Sequence, residues 1–322
     1  MRFPKLIGGK HVLYTLSIVM MVCLPSVGAA GSDPNVVASI KPVHALVAGV
    51  MQGIGEPTLL LKGGASPHDY SLRPSEAQSL NQGQVVFWIG RELETFLIKP
   101  LSNATGVRSV ELLRAPGVET LPLRQGGNWE PHGHHDDEHD HPQTEVGQRP
   151  GDVDAHIWLD PRNAMAMVRQ IGAVLSELDP ARRAVYQSNA ATLLKRLQQL
   201  EQNLQQQLES VRGRPYIVFH DAYQYFERRF ALAAVGSITL NPERPVGARR
   251  IQDIRERIEN NQVICVFSEP QFKPSLVETL IKDSSARSGV LDPLGADLPE
   301  GPEAYFQLLH NLAVGLRTCL GI

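Results

Sequence analysis

The sequence has 322 residues, of which 42% are hydrophobic and 20% are charged. This length allows two domains of ordinary size, and this composition is typical of a globular protein and excludes an intrinsically disordered one. The formal net charge is −3 at pH 7 and no basic stretch occurs, which argues against a protein that binds nucleic acid.

The first 30 residues have the features of an export signal. Three basic residues and no acid accompany the apolar run 11–27, and small residues follow it at positions 28–30. This order is the pattern of a cleaved signal peptide, whereas the run is short for a membrane anchor. We therefore predict that residues 1–30 are a signal peptide and that the mature protein is exported.

Export affects how the cysteines are interpreted. Cys23 lies within the predicted signal, so the mature chain keeps Cys265 and Cys319. Cysteines in an oxidising compartment tend to pair, and a bridge here would join a strand-like run to the last predicted helix. The residues leave two alternatives, a Cys265–Cys319 disulfide or two buried free thiols, and we predict the disulfide.

Short β-rich runs alternate with helical patterns in the first lobe, for which we predict residues 31–160. The predicted strands are 36–40, 58–61, 85–89 and 108–112, and the predicted helices are 42–51 and 75–80, the latter capped by Ser75. Because such alternation produces parallel sheets covered by helices, we expect a mostly parallel sheet. Residues 124–152 break the alternation, and their polar composition predicts a surface loop.

A long helical segment, predicted for residues 161–212, follows this lobe. Pro180 should begin its second helix, because proline is favoured in the first turn. Leucines recur every three or four residues from Leu193 to Leu208, as in an amphipathic helix. A helix of about thirty residues would be about 45 Å long, which predicts a rigid connection between two lobes.

The second lobe, predicted for residues 213–322, repeats the alternation of strands and helices. The predicted strands are 216–219, 232–235, 263–267 and 290–291, and the predicted helices are 248–260, 275–282 and 302–320. The predicted fold class is therefore α/β, with two lobes that each contain a mostly parallel sheet flanked by helices and that are joined by a long rigid helix.

Three histidines stand at comparable places in this pattern. His68 follows a strand and a glycine turn, His220 ends the run 216–219, and His156 directly precedes the helical segment. Ligands of open α/β sheets bind beyond the carboxyl ends of the strands, so these side chains can meet there. Three neutral imidazoles with one open position suit Zn²⁺. The alternative is three unrelated histidines that each bond to a carbonyl group.

The acids beside these histidines are candidates to orient the rings, because a metal-binding imidazole needs a partner for its other nitrogen. Asp69 follows His68, and Asp221 follows His220. We interpret His44 and His310 as structural or surface residues.

A second group of histidines lies in the polar loop. Its members are His132, His134, His135, His139 and His141. They predict a flap that binds Zn²⁺ weakly and reversibly, and the alternative is a solvated acidic linker. The spacing from His135 to His139 matches the H-x-x-E-H metalloprotease motif. That chemistry requires a rigid helix, and this segment has no apolar face to dock one, so we regard the match as accidental.

Several segments of the chain form a recognisable set. Besides the histidine-rich loop they are 38–43 (ASIKPV), 64–75 (GASPHDYSLRPS), 156–159 (HIWL), 219–227 (FHDAYQYFE), 269–272 (EPQF) and 291–295 (LDPLG). Together they resemble the ZnuA family, the zinc-binding solute-binding proteins of ABC importers, over essentially the whole mature chain.

The resemblance implies two α/β lobes with one Zn²⁺ in the cleft between them. It places the three metal histidines at His68, His156 and His220, pairs Cys265 with Cys319, and assigns the charged loop to gathering or sensing zinc. Some members carry an acid where this sequence has Pro67. The fourth ligand is therefore either Asp292, which occupies the place of an aspartate in relatives, or water.

The function we expect is capture of Zn²⁺ in the periplasm and its delivery to an inner-membrane ABC permease, by a monomer that is not an enzyme. A manganese carrier of the same architecture is one alternative, but three imidazoles favour zinc over Mn²⁺. A secreted zinc hydrolase is another, with Asp292 or Glu269 as its base. A third is an adhesin or zinc buffer that acts through the loop.

Overall fold

Two four-stranded parallel sheets, each covered by helices, organise the chain. The computed structural model describes residues 1, 33–124, 129, 153–239, 246–273 and 275–321. Residues 2–30 of the predicted signal peptide and the five loop histidines lie outside the described residues. Among the described helices, none is both long enough and apolar enough to cross a membrane.

The first sheet has the strand order β2-β1-β3-β4. Its strands are β1 (Val36–Ala38), β2 (Thr58–Leu59), β3 (Val85–Trp88) and β4 (Arg108–Glu111), and its helices are α1 (Lys41–Val50), α2 (Pro74–Gln82) and α3 (Ile98–Asn103). All four residues of β3 are buried, as expected of a parallel strand covered on both faces.

Two helices that cover this sheet differ from the sequence analysis. Helix α2 begins at Pro74 rather than after Ser75, because the Glu76 carboxylate accepts a hydrogen bond from the backbone N–H of Arg73 and so caps the helix. Helix α3 was not predicted, since its six residues contain Pro100 and are too few to show a helical period.

The long helix predicted between the lobes is present. Helix α4 (Pro161–Leu178) is capped by Asp160, whose side chain accepts a hydrogen bond from the backbone N–H of Arg162. A single 3₁₀ turn at Pro180–Arg182 then leads into α5 (Arg183–Leu208), which has 26 residues. Of the five leucines in its apolar stripe, four are buried.

The second sheet has the order β6-β5-β7-β8. Its strands are β5 (Pro215–His220), β6 (Ala233–Thr239), β7 (Cys265–Ser268) and β8 (Arg287–Val290), and its helices are α6 (Gln224–Phe230), α7 (Ala248–Asn260), α8 (Ser275–Ile281) and α9 (Glu303–Leu320). Strand β8 lies before the predicted position 290–291. It is an edge strand with a mostly exposed sequence, so hydrophobicity does not reveal it.

The second sheet is fastened to α9 by the predicted disulfide. Cys265 in β7 and Cys319 in α9 are bonded, with their Cα atoms 6.0 Å apart, so the alternative of two free thiols is excluded. Helix α9 also packs against α1 and α5. One continuous core therefore runs from the first sheet through α4 and α5 to the second sheet.

Polar contacts add to this core at the carboxyl ends of the strands. The ammonium group of Lys41, at the start of α1, is buried and donates hydrogen bonds to three carbonyl oxygens of the loop after β8, at Gly295, Ala296 and Leu298. The indole N–H of Trp158 donates to the carbonyl oxygen of Pro293 at 2.7 Å. These bonds hold the loop that follows the second sheet against the segments that follow the first.

Candidate metal site

Three histidines from separate segments meet at the carboxyl ends of the strands. His68 lies in the loop between β2 and α2, His156 precedes the 3₁₀ turn Ile157–Leu159, and His220 is the last residue of β5. Each offers a ring nitrogen, and these three nitrogens all lie within 4.8 Å of one another. The ring centroids are 5.3 to 5.6 Å apart. The meeting of these residues, which the sequence predicts, is confirmed.

The distance between two of the nitrogens has the value expected around a single zinc ion. Nε2 of His156 and Nε2 of His220 are 3.4 Å apart. Two nitrogens bonded to one tetrahedral zinc at ~2.0–2.1 Å lie ~3.3–3.4 Å from each other. The imidazole pair is therefore spaced for tetrahedral coordination without rearrangement.

A buried carboxylate fixes the ring of His156. Oδ1 of Asp154 accepts hydrogen bonds from the backbone N–H of His156 at 3.0 Å and from its Nδ1–H at 2.7 Å. Burial raises the pKa of Asp154 to about 7. In its ionised form this carboxylate can only accept, which places the ring proton on Nδ1 and turns the lone pair of Nε2 towards the other histidines.

A second carboxylate fixes the ring of His220 in the same way. Oε1 of Glu269 accepts a hydrogen bond from Nδ1–H of His220 at 2.6 Å. The hydroxyl of Tyr223 also donates to this oxygen, at 3.3 Å. Glu269 directly follows β7, the strand beside β5, so the second sheet supplies both the imidazole and its partner.

Burial also determines how these rings hold protons. It lowers the pKa of His68 well below its usual range and lowers that of His156 to about 3, and the neighbouring imidazoles add to both effects. Burial acts on His220 too, but the adjacent Glu269 carboxylate outweighs it and raises the pKa of that ring. At neutral pH, His68 and His156 therefore present unprotonated nitrogens to a cation.

The cavity that these rings border is small. Its walls include Pro67, Trp158, Phe272 and Leu294 besides the histidines, and its volume is about 10 Å³. A space of this size accommodates one water-sized species. It suits an ion with a single further ligand.

Asp292, which the sequence analysis considers as the fourth ligand, is engaged by its own loop and by Gln271. Its Oδ1 accepts hydrogen bonds from the backbone N–H groups of Leu294 and Gly295 and from Nε2 of Gln271, and its Oδ2 accepts one from the N–H of Ala296. Among the described residues, the group of metal-ligating side chains comprises the three histidines without Asp292. The loop that follows Asp292 folds back onto its carboxylate, and the backbone N–H groups of that loop provide hydrogen bonds to both carboxylate oxygens.

The acids that orient the rings in the structure are not the ones that the sequence predicts. Asp69 is exposed, and Asp221 pairs with Arg124. Asp154 and Glu269 take the orienting role instead. The sequence could have suggested Asp154 as the partner of His156, because it lies only two residues before that histidine. Glu269 was recognisable only as an acid at the end of a predicted strand in the same sheet.

Comparisons with known proteins agree with this site. The family model for ZnuA, described as zinc-uptake complex component A, periplasmic, matches residues 36–319. The chain is 44% identical to the high-affinity zinc uptake system protein ZnuA of Brucella abortus (strain 2308), over 90% of this chain and 93% of that protein.

Solved structures share the fold. A crystal structure of ZnuA aligns with a TM-score of 0.73 at 24% identity and covers 89% of this chain and 99% of its own. A ZnuA deletion mutant with zinc bound aligns with a TM-score of 0.72 at 25% identity, over 90% of this chain and 98% of its own. The extent of the family match and the identity to its curated relative lead to one conclusion: this chain belongs to the ZnuA family.

Proposed function

We propose that this protein captures Zn²⁺ in the periplasm and delivers it to an ABC permease of the inner membrane. The observation that carries the proposal is the cluster of three imidazole nitrogens, two of them 3.4 Å apart. Membership of a family described as periplasmic and zinc-uptake supports both the compartment and the cargo.

His68, His156 and His220 are the proposed ligands of the transported ion, and a water molecule completes its shell. Two of the rings are held by carboxylates in the tautomer that binds metal. Asp292 is not the fourth ligand in this proposal, because four hydrogen bonds already engage its carboxylate. The cavity leaves space for one water.

Capture and release depend on the relative position of the segments that carry the ligands. His68 follows the first sheet and His220 ends a strand of the second, so a shift between them would change the zinc affinity. Helix α5 packs against α1, α4 and α9 and resists such a shift. In this proposal, contact with the permease supplies the force that separates the ligands.

The organisation of the chain in this proposal keeps the predicted boundaries. Residues 1–30 direct export and are removed, residues 31–160 and 213–322 form the two lobes, and residues 161–212 connect them. The mature protein acts as a monomer. The disulfide between Cys265 and Cys319 is consistent with an oxidising compartment.

The site favours this function over a secreted zinc hydrolase. A hydrolase needs a general base beside the metal-bound water, whereas Asp292 and Glu269, the two candidates, are engaged by the loop after β8 and by His220. The donors of the site also favour zinc over Mn²⁺, because Mn²⁺ prefers oxygen ligands and the three clustered donors are nitrogens.

Removing the three imidazoles tests the proposal directly. The mildly purified mature protein should contain one zinc ion per chain, and the triple variant His68→Ala/His156→Ala/His220→Ala should contain none. Elemental analysis by mass spectrometry after gel filtration measures both. Retention of zinc by the triple variant, or more manganese than zinc in the wild type, would contradict the assignment.

The orienting carboxylates should affect affinity without being ligands. Asp154→Asn and Glu269→Gln should each weaken zinc binding by about 10- to 100-fold, because a neutral amide is a weaker acceptor for the ring N–H than a carboxylate and can also turn its NH₂ group towards the ring. Competition with a chromophoric chelator measures the Kd. Asp69→Asn is the matched control, since this exposed acid also adjoins a proposed ligand, and its Kd should stay at the wild-type value. Equal effects of all three variants would refute the orienting role.

The histidine-rich loop distinguishes the proposal from an adhesin or zinc buffer that acts through that loop. Deletion of residues 125–148 removes the five loop histidines and keeps Arg124, which pairs with Asp221 and Glu227. Tight binding of one zinc should survive this deletion, as isothermal titration in the presence of a competitor would measure. Loss of the tight site in the deletion variant would instead favour the loop as the functional element.

A further inference from the structure

Gln271 contributes an unusual side chain to the wall of the three-histidine cavity. Its Oε1 atom is buried and has no hydrogen-bond partner among the described residues. Buried polar atoms in folded proteins nearly always have a partner, so an exception in a binding cavity points to a ligand or a water that completes the bond.

The orientation of this amide is determined by Asp292. Nε2 of Gln271 donates a hydrogen bond to Oδ1 of Asp292 at 3.0 Å. The nitrogen must be the atom that faces Asp292, because a carboxylate cannot donate and this one already accepts three backbone N–H groups. Oε1 therefore points away from Asp292, and its orientation is fixed before any ion binds.

The side chain of Gln271 lies between two loops that border the cavity. A Cβ atom on Gly64, in the loop that leads to His68, would lie 3.8 Å from Cγ of Gln271. The side chain thus lies between the loop of His68 and the loop of Asp292. Gln271 lines the same small cavity as the three histidines, so its side chain lies next to the coordination sphere of an ion held there.

We propose that Gln271 determines metal selectivity at the fourth coordination position, where its Oε1 accepts a hydrogen bond from the water that completes the zinc shell. This inference rests on the proposed function and extends it. Asp292 acts through Gln271 as a positioning residue. A neutral acceptor supports a bound water without adding an anionic ligand, whereas a carboxylate at the same place would favour Mn²⁺.

Two substitutions test the inference, each with a control at Gln198, which is exposed on α5. Gln271→Leu removes the acceptor and should weaken zinc binding about tenfold, whereas Gln198→Leu should not change the Kd. Because Gln271→Leu also loses the hydrogen bond to Asp292, thermal unfolding of the metal-free variants measures any accompanying loss of stability. A Kd for Gln271→Leu within twofold of the control would overturn the inference.

Gln271→Glu places an anionic oxygen beside the fourth position. It cannot donate to Asp292, so charge repulsion turns it towards the ion. The ratio of Mn²⁺ to Zn²⁺ dissociation constants should fall at least tenfold, and the visible absorption of the Co²⁺-loaded protein should change as a carboxylate replaces water. Gln198→Glu should alter neither. An unchanged ratio together with an unchanged Co²⁺ spectrum would overturn the inference.

These outcomes separate the inference from the proposed function. If the wild-type protein does not bind zinc tightly, or if the triple histidine variant keeps the wild-type Kd, the proposed function fails. If the wild-type protein binds one zinc and both Gln271 variants match their Gln198 controls, the three-histidine site stands and the role of Gln271 is refuted.

Discussion

Three imidazole rings brought together in a buried space are the constraint on which the rest of this structure depends. Burial lowers the pKa of His68 and His156, while Glu269 raises that of His220. Two of the ring nitrogens lie 3.4 Å apart, and other groups hold their rings in place. Asp154 and Glu269 do so from behind, each by a hydrogen bond to a ring N–H.

The fold supplies these groups from opposite directions. Asp154 and His156 belong to the segment that enters α4, while His220 and Glu269 end adjacent strands of the second sheet. Trp158 joins the segment before α4 to the second lobe. Its indole N–H donates to the carbonyl oxygen of Pro293, and its own carbonyl oxygen accepts a hydrogen bond from the hydroxyl of Tyr305 in α9. The rings are therefore positioned by bonds that reach well beyond the cavity, which fixes the orientation of the side chains that would bind a metal.

Much of the fold was predictable, because it depends on local patterns. The apolar run that became β3 is buried throughout, and the leucine stripe that became α5 packs between α4, α1 and α9. The pairing of Cys265 with Cys319 followed from the compartment that the export signal indicates. The edge strand β8 and the short helices α3 and α6 could not be predicted, since none of them buries a periodic apolar face of sufficient length.

The site was predictable only in part, for a related reason. The strand-end positions of His68, His156 and His220 suggested that the rings meet, and they do. The partners of those rings could not be read from sequence neighbours. Asp221 adjoins His220 but pairs with Arg124, whereas Glu269, 49 residues away in sequence, accepts the bond from His220. The hydrogen bonds of Asp292 could not be predicted either. They come from its own loop and depend on a turn that no sequence pattern specifies.

X-ray absorption at the zinc edge of the zinc-loaded mature protein tests the central claim most directly, because it counts the atoms bound to the ion. The account predicts three imidazole nitrogens and one further light atom at ~2.0–2.1 Å, with no sulfur. A shell with fewer than three imidazoles, or one dominated by carboxylate oxygens, would contradict it.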